Sequence, residues 1–280
     1  IIMKRSILIP TDFSDNAWNA TVYALRLYSD EVCTFYFLNS WSVSNSAFGD
    51  YVVSGSEDSI TDNAFLEMTE LKEMAENADS NANHSFEIIL SKEYLHDAIE
   101  FAVKQHEIDL VVMGTKGVTG AKEIFFGSNT VDIIKKMKLC PILVIPDEFE
   151  YVKPKQVAFP TDYNRFYGDE LLPIKRLADV HDSKIRILHI SEEKNLSKTQ
   201  DYNLSMLKVY LENHPHSFHW MVDYAQKTEE INDFIEELDI NILAMINYKH
   251  NFLENILNEP VIKKIGYHPI IPFLVVPCLF

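Results

Sequence analysis

Residues 7–12 read ILIPTD, and the same pattern returns as VAFPTD at residues 157–162. Each half of the chain also closes on an apolar stretch that ends in proline, ILVIP at 142–146 and FLVVP at 273–277. A repeat of this length indicates a duplicated domain, because the repeating unit of a solenoid is far shorter.

The repeat divides the 280 residues into two predicted domains, residues 1–148 and residues 154–280. Between them lies the polar, proline-containing segment DEFEYVKPK at 147–155, which is typical of a linker. Because 47% of the residues are hydrophobic, either half has enough apolar side chains to form its own core.

Apolar runs alternate with helical patterns throughout the first half. Continuous β-branched and apolar runs predict buried parallel strands at residues 5–9, 33–39, 85–91, 109–114 and 141–146. The intervening segments predict a first helix with Ser14 as its N-cap and further helices at residues 61–79, 94–106 and 128–138. This alternation predicts an α/β fold with a doubly wound parallel sheet in each half.

A glycine-rich loop follows the fourth predicted strand. The stretch MGTKGVTGAKEIFFGSNT at residues 113–130 holds half of the chain's 8 glycines. In doubly wound sheets, ligands bind beyond the carboxyl ends of the strands. Residues 127–130 open a helix whose unpaired N–H groups suit an anion, with Lys116 and Lys122 nearby in the sequence. The alternative is that these glycines serve only turns and a helix cap, since neither a Walker A loop nor GxGxxG is present.

The spacing Gly114-x2-Gly117-x9-Gly127-Ser128, after a strand reading LVVMG, resembles the ATP-binding signature of the universal stress protein family. The first strand's P-x-D ending, at residues 10–12, is similar to that family as well. The resemblance spans the whole chain as a tandem pair, with the diagnostic motif in the first half only.

This resemblance implies Rossmann-like five-stranded sheets in the order 3-2-1-4-5 and an adenine-nucleotide site in the first half. ATP is the expected ligand, with ADP or AMP as alternatives, and Mg²⁺ is expected to accompany the phosphates. The family often has a His–Val pair after its second strand, where this chain has Asn39-Ser40, so we expect more polar or weaker adenine packing. The implied binding residues are Pro10, Thr11, Asp12, Ser40, Met113, Gly114, Gly117, Gly127, Ser128, Asn129 and Thr130.

The second half lacks the loop. Ile246 stands where Gly114 was, and Glu259 brings a negative charge to the region that matches the anion-binding helix start. We predict that this degenerate half does not bind ATP and has a structural role. The resemblance implies pairing through the last strands, as an internal pseudo-dimer or, alternatively, a homodimer. A different ligand in the second half stays open.

The composition narrows the class of function. A net charge of −17 disfavours nucleic-acid binding and anionic membrane surfaces, and no apolar stretch approaches the roughly 20 residues needed to span a membrane. The 3 scattered cysteines favour a reduced, cytoplasmic chain. With no general base identifiable, we predict a nucleotide-responsive stress regulator with an unknown protein partner. A slow ATPase or nucleotide-dependent transferase, or a nucleotide-independent scaffold with a vestigial pocket, stays open.

Two further features have competing interpretations. His214, His216 and His219 form the densest histidine cluster, but a strand at 217–224 would place His216 and His219 on opposite faces, so a solvated strand end is favoured over a metal site. The loop at 41–60 either covers the nucleotide or contacts a partner, or it is disordered.

Overall fold

In a computed structural model, the chain divides into two compact units, Ile1–Tyr151 and Val152–Phe280. The structure describes residues 4–41, 57–115, 127–191, 195–221, 227–248 and 271–278. Among these residues, no helix is both long enough and apolar enough to cross a membrane.

The first unit alternates strands and helices. Its elements are β1 (Arg5–Pro10), α1 (Asp15–Leu27), β2 (Cys33–Ser40), α2 (Glu57–Ala78), β3 (His84–Ser91), α3 (Leu95–His106), β4 (Leu110–Gly114), α4 (Ser128–Lys136) and β5 (Ile142–Ile145). Within this unit the strands are parallel neighbours in the order β3-β2-β1-β4-β5. The predicted fold class and strand order are confirmed.

The second unit repeats this plan with one change near its start. Its elements are β6 (Gln156–Pro160), a 3₁₀ turn (Gly168–Leu171), α5 (Leu172–His181), β7 (Lys184–Ile190), α6 (Lys198–Tyr210), β8 (His216–Met221), α7 (Lys227–Glu237), β9 (Ile242–Asn247) and β10 (Phe273–Pro277). Within the unit the strand order is β8-β7-β6-β9-β10, with parallel pairing. Counted within each copy, both units therefore have the order 3-2-1-4-5.

The central strands are buried because helices cover both faces of a parallel sheet. Ile7, Leu8 and Ile9 of β1 have no exposed surface, which explains their continuous apolar sequence. The predicted N-cap of α1 is confirmed: Ser14 Oγ accepts a hydrogen bond from Ala17 N at 3.3 Å. This cap fixes the first turn of α1 next to the carboxyl ends of the strands.

The structure corrects several predicted boundaries. The helix predicted at 128–138 ends at Lys136, because Met137 has an extended backbone. The helix predicted at 61–79 begins earlier, at Glu57, which shortens the predicted loop at 41–60. The strand predicted at 217–224 is observed as His216–Met221, and residues 222–226 lie outside the described residues.

Candidate functional site

The turn after β1 is held by its own side chains. Thr11 N donates to Leu38 O at 2.8 Å, which extends the pairing of β1 with β2 by one residue. Thr11 Oγ1 accepts from Phe13 N at 3.0 Å, and Phe13 has a left-handed backbone with φ of 63°. Asp12 Oδ1 accepts from the Ser14 hydroxyl at 2.5 Å and from Ser14 N at 3.2 Å. The exposed Asp12 carboxylate is therefore oriented through one oxygen, and its Oδ2 carries no hydrogen bond to the described residues.

The end of β2 fixes this turn from the side. Asn39 Nδ2 donates to Thr11 O at 2.9 Å, so the residue that departs from the family pattern has a defined structural role. The Ser40 hydroxyl donates to Glu93 O at 2.7 Å. Ser40 thus lies at the predicted strand end, where its hydroxyl donates its hydrogen bond to the segment between β3 and α3.

Gly114 ends β4 in contact with the first turn of α1. A β-carbon built on Gly114 would lie 2.4 Å from Asn16 Oδ1, 2.7 Å from Asn16 Cγ and 2.8 Å from Asn16 O. No β-carbon fits at these distances, so glycine is required for the close approach of helix and strand. Sequence reasoning assigned this glycine to the phosphates and did not identify Asn16, because nothing local in the sequence signals the contact.

The N-terminus of α4 is anchored to the same strand end. Thr130, which is 3% exposed, donates through Oγ1 to Gly114 O at 3.1 Å. Gly127 is the N-cap and provides no side-chain cap, and the first turn contains no acidic residue. Ser128 and Asn129 are exposed. The N–H groups of this first turn therefore keep the positive end of the helix available to an anion.

These contacts bring most of the predicted residues to neighbouring strand ends. Met113 is buried under the site, and Pro10, Thr11 and Asp12 lie at the end of β1, which pairs with β4. The strand order reverses between β1 and β4, which is where doubly wound sheets bind ligands. Gly117 lies outside the described residues, as do Lys116 and Lys122.

The second unit keeps the turn after its first strand. Tyr163 N donates to Thr161 Oγ1 at 3.1 Å, Asn164 N donates to Asp162 Oδ1 at 2.9 Å, and Tyr163 has φ of 56°. His189 Nδ1 lies 2.8 Å from Thr161 O, in the role that Asn39 has in the first unit. Burial raises the pKa of the Tyr163 hydroxyl. The shared turn thus survives with different side chains packed around it.

The strand registers match Ile246 to Gly114. Gly114 pairs with Ile145 on the last strand of the first unit, and Ile246 pairs with Val276 at the same position in the second. Ile246 is 3% exposed, so the second unit buries a side chain at the position where the first unit requires glycine. Residues 249–270, which include Glu259, lie outside the described residues.

An arginine side chain lies between the turn after β6 and the end of β9. The Arg165 guanidinium lies 4.6 Å from the ring centre of Tyr248 and 5.0 Å from that of Tyr167. It donates to Glu170 Oε2 at 2.5 Å and to Cys278 Sγ at 3.2 Å. Burial, with Asp162 nearby, raises the pKa of Tyr167 to about 12. A packed ionic and aromatic cluster therefore stands at the strand ends of the second unit.

The three histidines of the predicted cluster, His214, His216 and His219, each contact a different partner. His214 contacts Asp179 at 3.1 Å, His216 Nδ1 contacts His214 O at 2.8 Å, and His219 Nε2 contacts Ser217 Oγ at 2.8 Å. Over the described ranges, no group of three or more potential metal-ligating side chains is found. Burial, together with Arg186 and Lys184, lowers the pKa of His219.

Comparisons with known proteins agree with this architecture. The universal stress protein MJ0531 of Methanocaldococcus jannaschii is 31% identical over 144 residues, which cover 51% of this chain and 82% of the relative. The universal stress protein MJ0577 of the same organism is 29% identical over 158 residues, covering 51% of this chain and 96% of the relative.

Solved structures that match both halves of the chain include a further universal stress protein. A universal stress protein from Archaeoglobus fulgidus DSM 4304 has a TM-score of 0.73 at 16% identity, covering 97% of this chain and 98% of its own. At this identity the match supports the fold alone. The profile of the universal stress protein family matches residues 3–146. The chain therefore belongs to the universal stress protein family.

Proposed function

We propose that this chain is a nucleotide-responsive stress regulator in which the first domain, residues 1–148, binds ATP and the second, residues 154–280, binds none. The observation that carries the proposal is the anchoring of α4 to β4 through Thr130 and Gly114. It holds an uncapped, neutral helix start beside the Asp12 turn, at the point where the strand order reverses. A phosphate group and a nucleoside thus have complementary partners within one crevice.

The roles of the proposed binding residues follow from their places. The N–H groups at the start of α4, with Ser128 and Asn129, face the phosphates, and the free oxygen of Asp12 accepts from the nucleoside. Pro10, Thr11, Ser40 and Met113 shape the crevice, while Gly114, Gly127 and Thr130 set its backbone, and Gly117 belongs to the same proposed set. ADP and AMP share the nucleoside contacts. Mg²⁺ would arrive with the triphosphate, which supplies most of its oxygen ligands.

Two observations support a single nucleotide per chain. By strand register, Ile246 stands at the position of Gly114, so the second unit has a side chain where the first requires glycine. Arg165 and its aromatic neighbours occupy the strand ends, where α5 begins only at Leu172. A nucleotide would have to displace a paired guanidinium there.

The test is calorimetric titration with ATP, ADP and AMP, each with Mg²⁺. We expect one ATP per chain. Gly127 has φ of −61° and ψ of 152°, which any residue adopts, so Gly127→Asn and Gly127→Asp form a matched pair of caps. The aspartate variant is expected to bind ATP at least about tenfold more weakly than the asparagine variant, because only its charge differs.

The outcomes separate the candidate functions. Absence of heat at millimolar ATP would refute nucleotide binding and favour a nucleotide-independent scaffold. Two ATP molecules per chain would refute the assignment to the first domain alone. Equal affinities of the two Gly127 variants would show that the start of α4 does not face the phosphates.

A further inference from the structure

Asn16 carries a buried hydrogen-bond acceptor that the fold leaves unused. Its Oδ1 is inaccessible to solvent, and no described residue donates a hydrogen bond to it. On the same helix, Asn19 Nδ2 donates to Pro146 O at 3.3 Å and Thr21 Oγ1 donates to Ala17 O at 3.0 Å, while the Tyr23 hydroxyl is a second buried group without a partner among the described residues. Buried polar atoms without a partner are rare in folded proteins, so this one requires an explanation.

The acceptor lies at the proposed nucleotide crevice. Asn16 belongs to the first turn of α1, directly after the Asp12 turn, and its Oδ1 lies 2.4 Å from where a β-carbon of Gly114 would stand. The space for the amide exists only because residue 114 has no side chain. The acceptor therefore lies against Gly114 at the carboxyl end of β4.

The second unit has neither part of this arrangement. Ile246 takes the place of Gly114 by strand register, and Phe166 stands at the position of Asn16 when the two PTD sequences are aligned. The asparagine and the glycine that makes room for it occur together in the first unit, and large apolar residues stand at both corresponding positions in the second. Their joint replacement is expected if they serve a ligand of the first unit.

The chemistry of the acceptor selects one part of a nucleotide. An amide oxygen needs an N–H or O–H donor, and the phosphate oxygens of ATP carry no proton at neutral pH. The remaining donors of ATP are the ribose hydroxyls and the exocyclic amine of the base. Resting on the function proposed above, we propose that Asn16 is a specificity-determining residue that accepts a hydrogen bond from one of these nucleoside donors. A site with such an acceptor rejects analogues that lack the donor, because its oxygen would then stay unpaired.

The first measurement is calorimetric titration of the full chain with four probes. ATP is compared with 2′-deoxy-ATP, 3′-deoxy-ATP and inosine triphosphate, which has a carbonyl where adenine has its amine. Wild-type protein is expected to bind one of the three analogues at least about tenfold more weakly than ATP, which identifies the donor. Asn16→Ala is expected to bind ATP about tenfold more weakly than wild type and to lose this discrimination. Asn16→Asp keeps an acceptor oxygen and is expected to retain the discrimination.

The second measurement is thermal unfolding without nucleotide. Asn16→Ala removes packed atoms but no hydrogen bond, so its unfolding temperature is expected to fall less than that of a variant that loses a hydrogen bond on the same helix. Asn19→Ala is the matched control on the same helix. It removes a bond to Pro146 O, so it is expected to lower the unfolding temperature and leave the discrimination among the four probes unchanged.

Each result decides the question. Failure of the wild type to bind ATP would overturn the proposed function and this inference with it. ATP binding with the same discrimination in wild type and Asn16→Ala would overturn the inference alone. A larger fall in the unfolding temperature for nucleotide-free Asn16→Ala than for Asn19→Ala would also overturn it, since the Asn16 amide would then make a structural interaction stronger than a hydrogen bond of known partner.

Discussion

Gly114→Ala is the substitution whose effect the structure determines most directly. The added carbon would lie 2.4 Å from Asn16 Oδ1, 2.7 Å from Cγ and 2.8 Å from the main-chain oxygen. Rotation of the Asn16 side chain relieves the first two contacts, but the third requires the first turn of α1 to shift away from β4. Residues of that helix such as Ala20 and Ala24 are fully packed, so the shift disturbs the core.

The cost follows from known penalties for overpacking. Forcing one methyl group into a packed site costs about 1–3 kcal/mol, and a main-chain contact belongs to the upper half of this range. For a unit of this size, we expect the unfolding temperature to fall by roughly 4–10 °C. Differential scanning calorimetry and urea unfolding monitored by circular dichroism measure the change.

Two controls separate this cause from others. Gly168→Ala is a control in which the added carbon would lie no closer than 3.6 Å to its nearest neighbour, Phe166 Cε1. Only the φ of +54° then opposes the change, at a cost of about 1 kcal/mol. Combining Gly114→Ala with Asn16→Ala removes two of the three short contacts, so the pair is expected to be less destabilising than the sum. A Gly114→Ala protein as stable as wild type, or additive effects in the pair, would refute the close packing.

Three further predictions concern other contacts. Arg165→Met is expected to destabilise the second unit by about 3 kcal/mol in urea unfolding, because the Glu170 side chain, which is 1% exposed, loses its ion pair. Adding Glu170→Gln removes the buried charge and is expected to recover part of this loss. A double variant no more stable than Arg165→Met would contradict the prediction. Thr130→Val is expected to lower stability by about 1 kcal/mol while Thr130→Ser does not, and equal stabilities would exclude a role for the bond to Gly114 O. The pKa of His219 is lower in the folded protein than in the unfolded chain, so the unfolded chain takes up the imidazole proton first as the pH falls. The contribution of neutral His219 to stability is therefore complete above pH 6.5 and decreases below it. Between about pH 7.5 and 5, the urea midpoint is expected to fall less in His219→Gln than in wild type, and an equal pH dependence of the two midpoints would refute this.

The sequence predicts those parts of the fold that depend on local pattern. Continuous apolar runs locate the buried strands, and Ser14 before a helical pattern identifies a cap. The strand order came from the family resemblance, since parallel strands joined by right-handed crossovers allow several orders. In the second unit, no helix follows the PTD turn directly, although one does in the first unit. Instead Arg165 and its neighbours form an ionic and aromatic cluster, and α5 begins at Leu172 with proline in its first turn.

The site was predicted as a set of residues but not as a set of contacts. Thr130 was predicted as one of the binding residues, and in the structure its hydroxyl donates to Gly114 O. Asn16 and Gly114 are 98 positions apart in the chain, and no spacing rule connects a helix turn with a strand end at that distance. Tertiary packing alone reveals that Gly114, predicted as a phosphate-binding residue, also allows the contact between helix and strand.

Gly114 and Ile246 occupy corresponding positions in the two copies, and the difference between them limits how one copy can be changed into the other. A side chain introduced at Gly114 collides with Asn16, while glycine introduced at Ile246 leaves a cavity in a strand that is almost completely buried, at a cost of about 2–5 kcal/mol. A single substitution in either direction therefore passes through a destabilised intermediate, and only coordinated changes avoid it. Transfer of a short segment across this position from one copy to the other is therefore expected to destabilise the unit that receives it.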